Sequence, residues 1–147
     1  MSGLAAVMAL FAGLAGSVQI AVMARLGERV GIFGALAFAS LLQAMLAGLI
    51  LLAVRQSLGG YAAVARQPAW LWLGGVMGLF IVLTITFAGS RIGTAATVGI
   101  LIAGQLAMGA AIDRWGLFGS ERIALHWPRL LGIALLAIGA ALSLRKA

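Results

Sequence analysis

Five helices crossing a lipid bilayer, all within one membrane domain spanning residues 1–147, are predicted from three observations on this chain. Hydrophobic residues make up 64% of it and charged residues 9%. The apolar residues are gathered into five long runs, and the charged residues stand at the ends of those runs. A bilayer core of about 30 Å needs roughly 20 apolar residues per helix, which is the length of most of the runs.

Residues 3–24 form a charge-free run that ends at Arg25. A tight basic turn, Arg25-Leu-Gly-Glu28-Arg29, separates it from the second run, residues 30–54. A polar stretch with Arg55, Gln56, Ser57, Gly59, Gly60, Arg66, Gln67 and Pro68 follows. The third span covers residues 70–89, and a turn, Ser90-Arg91-Ile92-Gly93, leads to the fourth, residues 94–112. Residues 113–129 carry Arg114, Glu121, Arg122 and His126 and are too polar to cross. A short fifth span, residues 130–144, is closed by Arg145-Lys146.

An odd number of spans puts the termini on opposite sides. The side reached after spans one, three and five holds Arg25, Arg29, Arg91, Arg145 and Lys146, and the other holds Arg55, Arg66, Arg114, Arg122 and Arg129. An excess of Lys and Arg on the cytoplasmic side normally sets orientation, and here the two sides carry equal numbers. A chain of that kind can insert both ways up, and the two forms can pair head to tail. The tryptophans Trp70, Trp72, Trp115 and Trp127 all fall at span ends on the Arg55 side, where indole rings favour the headgroup region. An antiparallel pair gives each interface one such set. Pro68 and Pro128 precede spans on the same side, where a missing backbone N–H costs least.

The residue inventory also excludes functions. The net charge of +7 is spread singly over helix ends without a basic patch, so it meets lipid headgroups rather than nucleic acid. With no cysteine, one histidine and three acids, neither thiolate chemistry nor a metal-ligand cluster is predicted, and no cofactor. No nucleophile, base or metal constellation points to an enzyme. The first span has no basic segment before it, which argues against a cleaved signal peptide. No ionisable residue lies near the middle of a span. Proton-coupled pumps generally place one there, so exchange on a central carboxylate is not expected. Asp113, at the end of span four beside Arg114, reads as an interfacial carboxylate.

Packing is written in small residues, because helices in lipid associate through close contact. Span four repeats them at Ala95, Gly99, Ala103, Ala107 and Ala111, and span one at Ala5, Ala9, Gly13, Ser17 and Ala21. Gly75 and Gly78 lie a turn apart in span three, and Gln43 lies on the small stripe of span two. An amide left alone in hydrocarbon costs roughly 2–7 kcal/mol, so Gln19, Gln43 and Gln105 each need protein or water. At about 100° per residue, Gln105 and Gln19 point away from the small stripes of their own helices. They read as lining an aqueous cavity or as interhelical hydrogen bonds, and Gln43 as a bridge between helices. Thr84 shares a face with Phe80 and Phe87, either an aromatic cavity wall or plain packing, and Thr97 is a further polar residue within a span.

Particular segments carry a resemblance. Gly74-Gly-Val-Met-Gly78 with Arg91-Ile-Gly93, and Ala103-Gly-Gln-Leu-Ala107 with Ile112-Asp-Arg-Trp-Gly-Leu-Phe-Gly119, resemble the small YdcZ-like inner-membrane family. That family is a five-span branch of the drug/metabolite transporter superfamily. The resemblance covers most of residues 70–139; the first half matches more loosely, through Gln19 and Arg25-Leu26-Gly27, with Met23 where an asparagine is expected. It implies that two five-span units of opposite orientation make a ten-helix, inverted two-fold transporter with a cavity between the halves. Inverted repeats around a midplane site are a general transporter plan.

Together these readings predict a secondary transporter of a small organic solute in a bacterial inner membrane, acting by alternating access as a dual-topology antiparallel homodimer. Gln105, Gln19, Thr84 and Thr97 are the expected substrate contacts, and Gly99, Ala103, Gly75, Gly78 and Gln43 the expected helix-packing positions. A dual-topology ion channel and a non-transporting accessory subunit are the alternatives.

Overall fold

A computed structural model describes residues 2–57, 59–124 and 126–144 of the chain. The described residues form α1 (Ser2–Val30), α2 (Ile32–Arg55), α3 (Gly59–Ala65), a 3-10 turn (Ala69–Trp72), α4 (Leu73–Ile92), α5 (Thr94–Trp115), a second 3-10 turn (Leu117–Gly119) and α6 (Trp127–Ser143). The protein is all-α. Four helical segments are long and apolar enough to cross a membrane, at Gly3–Val30, Ile32–Arg55, Ala69–Ile92 and Thr94–Trp115, and a shorter apolar one lies at Leu130–Ser143. Each satisfies its backbone internally, as hydrocarbon requires. Large side chains such as Phe11, Leu14, Phe38 and Leu49 point outward, the reverse of a water-soluble bundle.

Two expected turns are corrected. Residues 25–29 are helical, and α1 runs on to Val30. An ion pair of 2.9 Å between Arg25 and Glu28, one turn apart and exposed, decorates the helix without interrupting it. The break falls at Gly31, whose φ of 82° and ψ of 153° belong to a region open essentially to glycine alone. Likewise α4 continues through Ser90 and Arg91, and the break is Gly93, at φ 82° and ψ 163°. Both carbonyls start the next helix, accepting from the N–H groups of Ala35 and Thr97 at 3.0 and 3.2 Å. A single residue outside the helices keeps the number of unsatisfied backbone groups small.

The polar connection after α2 is also more ordered than its composition suggests. Gln56 caps α2 in the left-handed conformation, its N–H donating to the Leu52 carbonyl. α3 then folds back on the last turns of α2, where a Cβ on Gly60 would stand 3.2 Å from the Leu51 side chain. At the other long connection α5 extends past residue 112 to Trp115, and Gly116 ends it in the left-handed conformation. The Ile123 N–H donates to the Asp113 carbonyl at 2.8 Å, tying the chain back to the end of α5. α6 begins at Trp127, with Pro128 in its first turn where no N–H is needed. Arg145 and Lys146, expected to close the last span, lie outside the described residues.

The chain forms two compact units, Val22–Ser90 and Met1–Ala21 with Arg91–Ala147. In the first, Met23, Ala35, Ala39 and Val82 make a small core with Leu26 and Leu36 packed against it. Gly27 is there because of close approach: a Cβ on it would stand 2.8 Å from Cγ2 of Thr86, which is fully buried. The Thr86 hydroxyl donates to the Val82 carbonyl at 2.7 Å, so its burial leaves no orphaned donor. In the second unit α5 packs on α6, and a Cβ on Gly99 would stand 3.3 Å from Ala140 Cα. Ala96, Ala110 and Ala140 are buried there.

Candidate functional site

A groove of about 420 Å³ lies in the Val22–Ser90 unit, lined by Ile32, Phe33, Leu83, Thr84 and Phe87. Ile32 and Phe33 belong to the first turn of α2, so the break at Gly31 sets where they stand. Leu83, Thr84 and Phe87 come from one stretch of α4, with Thr84 and Phe87 three residues apart on the same face. Phe33 is 78% exposed and Phe87 45%, so the aromatic walls are available to a bound molecule.

Thr84 is the one polar side chain on this lining. Its hydroxyl donates to the Phe80 carbonyl one turn back, at 2.8 Å. That bond spends the proton and leaves oxygen lone pairs able to accept a hydrogen bond. No lining residue is charged. Chemically the groove suits an apolar or aromatic body carrying at most one donor, and it offers no ion-pair partner for a formal charge.

The four expected contact residues are distributed differently. Thr84 is the one of them on the groove. Thr97 is 3% exposed and donates to the Gly93 carbonyl at 2.8 Å, so it ties the start of α5 to the break before it. Gln105 is exposed on α5, Gln43 is exposed on α2, and Gln19 is half-buried on α1. None of the three amides has a side-chain hydrogen bond among the described residues. Of the small residues, Gly99 meets α6 and Ala103 is half-buried, whereas a Cβ on Gly75 or Gly78 would meet nothing within 4 Å among the described residues. Phe80, which shares a face with Thr84, is 62% exposed and is not part of the lining.

Ile32, Phe33 and Leu83 escape a reading of the sequence because apolar residues within an apolar span carry no mark of what they face. The one available signal was Gly31, since a glycine break fixes the direction of the helix turn that follows it.

Neither the curated proteins nor the solved structures compared with this chain contain a match. A family model does match, over residues 4–142, under the description "Putative inner membrane exporter, YdcZ". The match runs from the first turn of α1 to the last turn of α6 and includes both glycine breaks and the residues that line the groove. By that match and by its membrane-length helices, this is a multi-pass inner-membrane protein that belongs to the YdcZ family.

Proposed function

We propose that the protein is a secondary transporter that exports a small, uncharged or amphipathic organic solute, working by alternating access as an antiparallel homodimer. The equal split of basic residues between the two ends of the helices carries this reading. It removes the usual bias on orientation, and two oppositely inserted copies then form an inverted pair. The family description supports export across the inner membrane.

The surfaces left open by one chain support the pairing. Gln43 and Gln105 are exposed at depths where a lone amide is costly. In the dimer they reach the second copy or a wet cavity. Gly75 and Gly78, uncovered among the described residues, let the second backbone approach closely. Gln105, Gln19 and Thr97 are the polar solute contacts of this reading, and the Thr84 groove takes an apolar part of the solute. A two-fold axis in the membrane plane relates the copies. It makes the inward-open and outward-open dimers the same structure with the copies exchanged, so the two states are equal in energy before any gradient is applied.

The absence of cysteine makes the test direct. A single thiol, Ala147→Cys, is labelled in intact cells with a membrane-impermeant maleimide and then again after permeabilisation. Accessibility near one half is the expected result. Nearly complete or nearly absent labelling from outside overturns the homodimer.

A further inference from the structure

We infer that the connection between α2 and α4, residues 55–72, is a binding site for an anionic phospholipid of the surrounding leaflet. The inference is independent of the transport reading and holds for a chain inserted in one orientation or in two.

Three observations carry it. First, the described residues of the connection, 55–57 and 59–72, are folded rather than loose. The Tyr61 hydroxyl lies 3.4 Å from where a Cβ on Gly48 would stand, so a larger residue at 48 would crowd it. The Trp72 indole N–H donates to the Val64 carbonyl at 3.3 Å, fastening the 3-10 turn to α3. Second, this folded shelf joins two membrane-length helices, so it lies at the bilayer surface, and it presents a half-exposed aromatic and apolar face. Tyr61 is 53% exposed, Trp70 48%, Leu71 47% and Trp72 50%. Tyr and Trp favour that depth. Third, its charge is uncompensated. Arg55 and Arg66 are exposed, and no acid occurs between Glu28 and Asp113 in the sequence. Neither arginine has an ion pair among the described residues, and Glu28 is already paired with Arg25.

Exposed guanidiniums on the same connection as interfacial tryptophans are matched by a phosphodiester whose acyl chains lie against the indoles. A planar guanidinium can bind phosphate oxygens in pairs. A net negative headgroup is favoured over a zwitterionic one, whose own ammonium competes for the phosphate. A soluble phosphate would leave the aromatic face unused, which is why the lipid is the occupant.

The test uses the full chain in bilayer nanodiscs, with Trp115→Phe and Trp127→Phe leaving Trp70 and Trp72 as the fluorophores. Quenching by brominated phosphatidylglycerol is compared with quenching by brominated phosphatidylcholine at equal mole fraction. Stronger quenching by the anionic lipid is expected, with an association preference of roughly fivefold per arginine. The preference should vanish in Arg55→Gln/Arg66→Gln, survive in Arg55→Lys/Arg66→Lys, and be unchanged in Arg29→Gln, the loss of one charge elsewhere. Free inorganic phosphate should not compete. Equal quenching by the two lipids, an unchanged preference in the double glutamine variant, an equal loss in Arg29→Gln, or displacement by free phosphate would each overturn the assignment. The lysine pair guards against misfolding: quenching by phosphatidylcholine must match in the lysine and glutamine variants.

Discussion

Gly27 and Gly31 stand one turn apart near the end of α1, and they are glycine for opposite reasons. At Gly27 the backbone is helical and space is lacking, because the buried Thr86 methyl occupies the place of a side chain. At Gly31 a Cβ would meet nothing within 4 Å, and the backbone conformation is what excludes other residues. The same contrast recurs in the other unit, where Gly93 breaks the chain and Gly99, six residues on, packs against α6. The flanking residues repeat as well, Arg29-Val30-Gly31 and Arg91-Ile92-Gly93. A glycine count therefore mixes two devices, one that ends helices and one that lets them touch.

Substitutions separate the devices. Gly31→Val should have the largest effect, about 3 kcal/mol of lost stability, read by reversible unfolding in mixed micelles. Shrinking neighbouring side chains should not restore it, since no neighbour is in the way. Gly27→Ala should cost about 2 kcal/mol by overpacking. Here a neighbour is responsible, and adding Thr86→Ser, which removes Cγ2 and keeps the hydroxyl, should show a favourable coupling of about 1 kcal/mol in a double-mutant cycle. Additivity in that cycle would deny the contact. Gly78→Ala should be the mildest, within about 0.5 kcal/mol for the detergent-solubilised monomer, because its Cβ enters open space.

The helices were legible because hydropathy reports depth directly, and the four membrane-length segments overlap four of the apolar runs, the first continuing as helix to Val30. The turns were less so. Arg25, Glu28 and Arg29 look like a loop by composition, but their long side chains reach water while the backbone stays helical. The real break, Gly31, carries no charge to advertise it. α3 has seven residues, too short to hold helical structure alone, and it depends on the Tyr61 and Trp72 contacts, which span different elements. At the candidate site Thr84 was readable as a polar residue in an apolar run. Ile32, Phe33 and Leu83 were not, because groove-facing and lipid-facing apolar residues differ in tertiary position alone. Thr97 was readable in the same way, as a hydroxyl within a span; it is buried and donates to the Gly93 carbonyl at the break.

The backbone at Gly31 and Gly93 has a consequence for stereochemistry. A positive φ near 82° with an extended ψ lies close to the mirror image of extended L backbone, so a D amino acid fits it far better than an L residue does. At these two points the protein is built as if from the mirror-image alphabet, and glycine, being achiral, is the one encoded residue that satisfies it. A semisynthetic chain with D-alanine at position 31 keeps the break and loses one rotational freedom of the unfolded state, where L-alanine distorts it. The handedness of two single residues thus decides where one membrane crossing ends and the next begins.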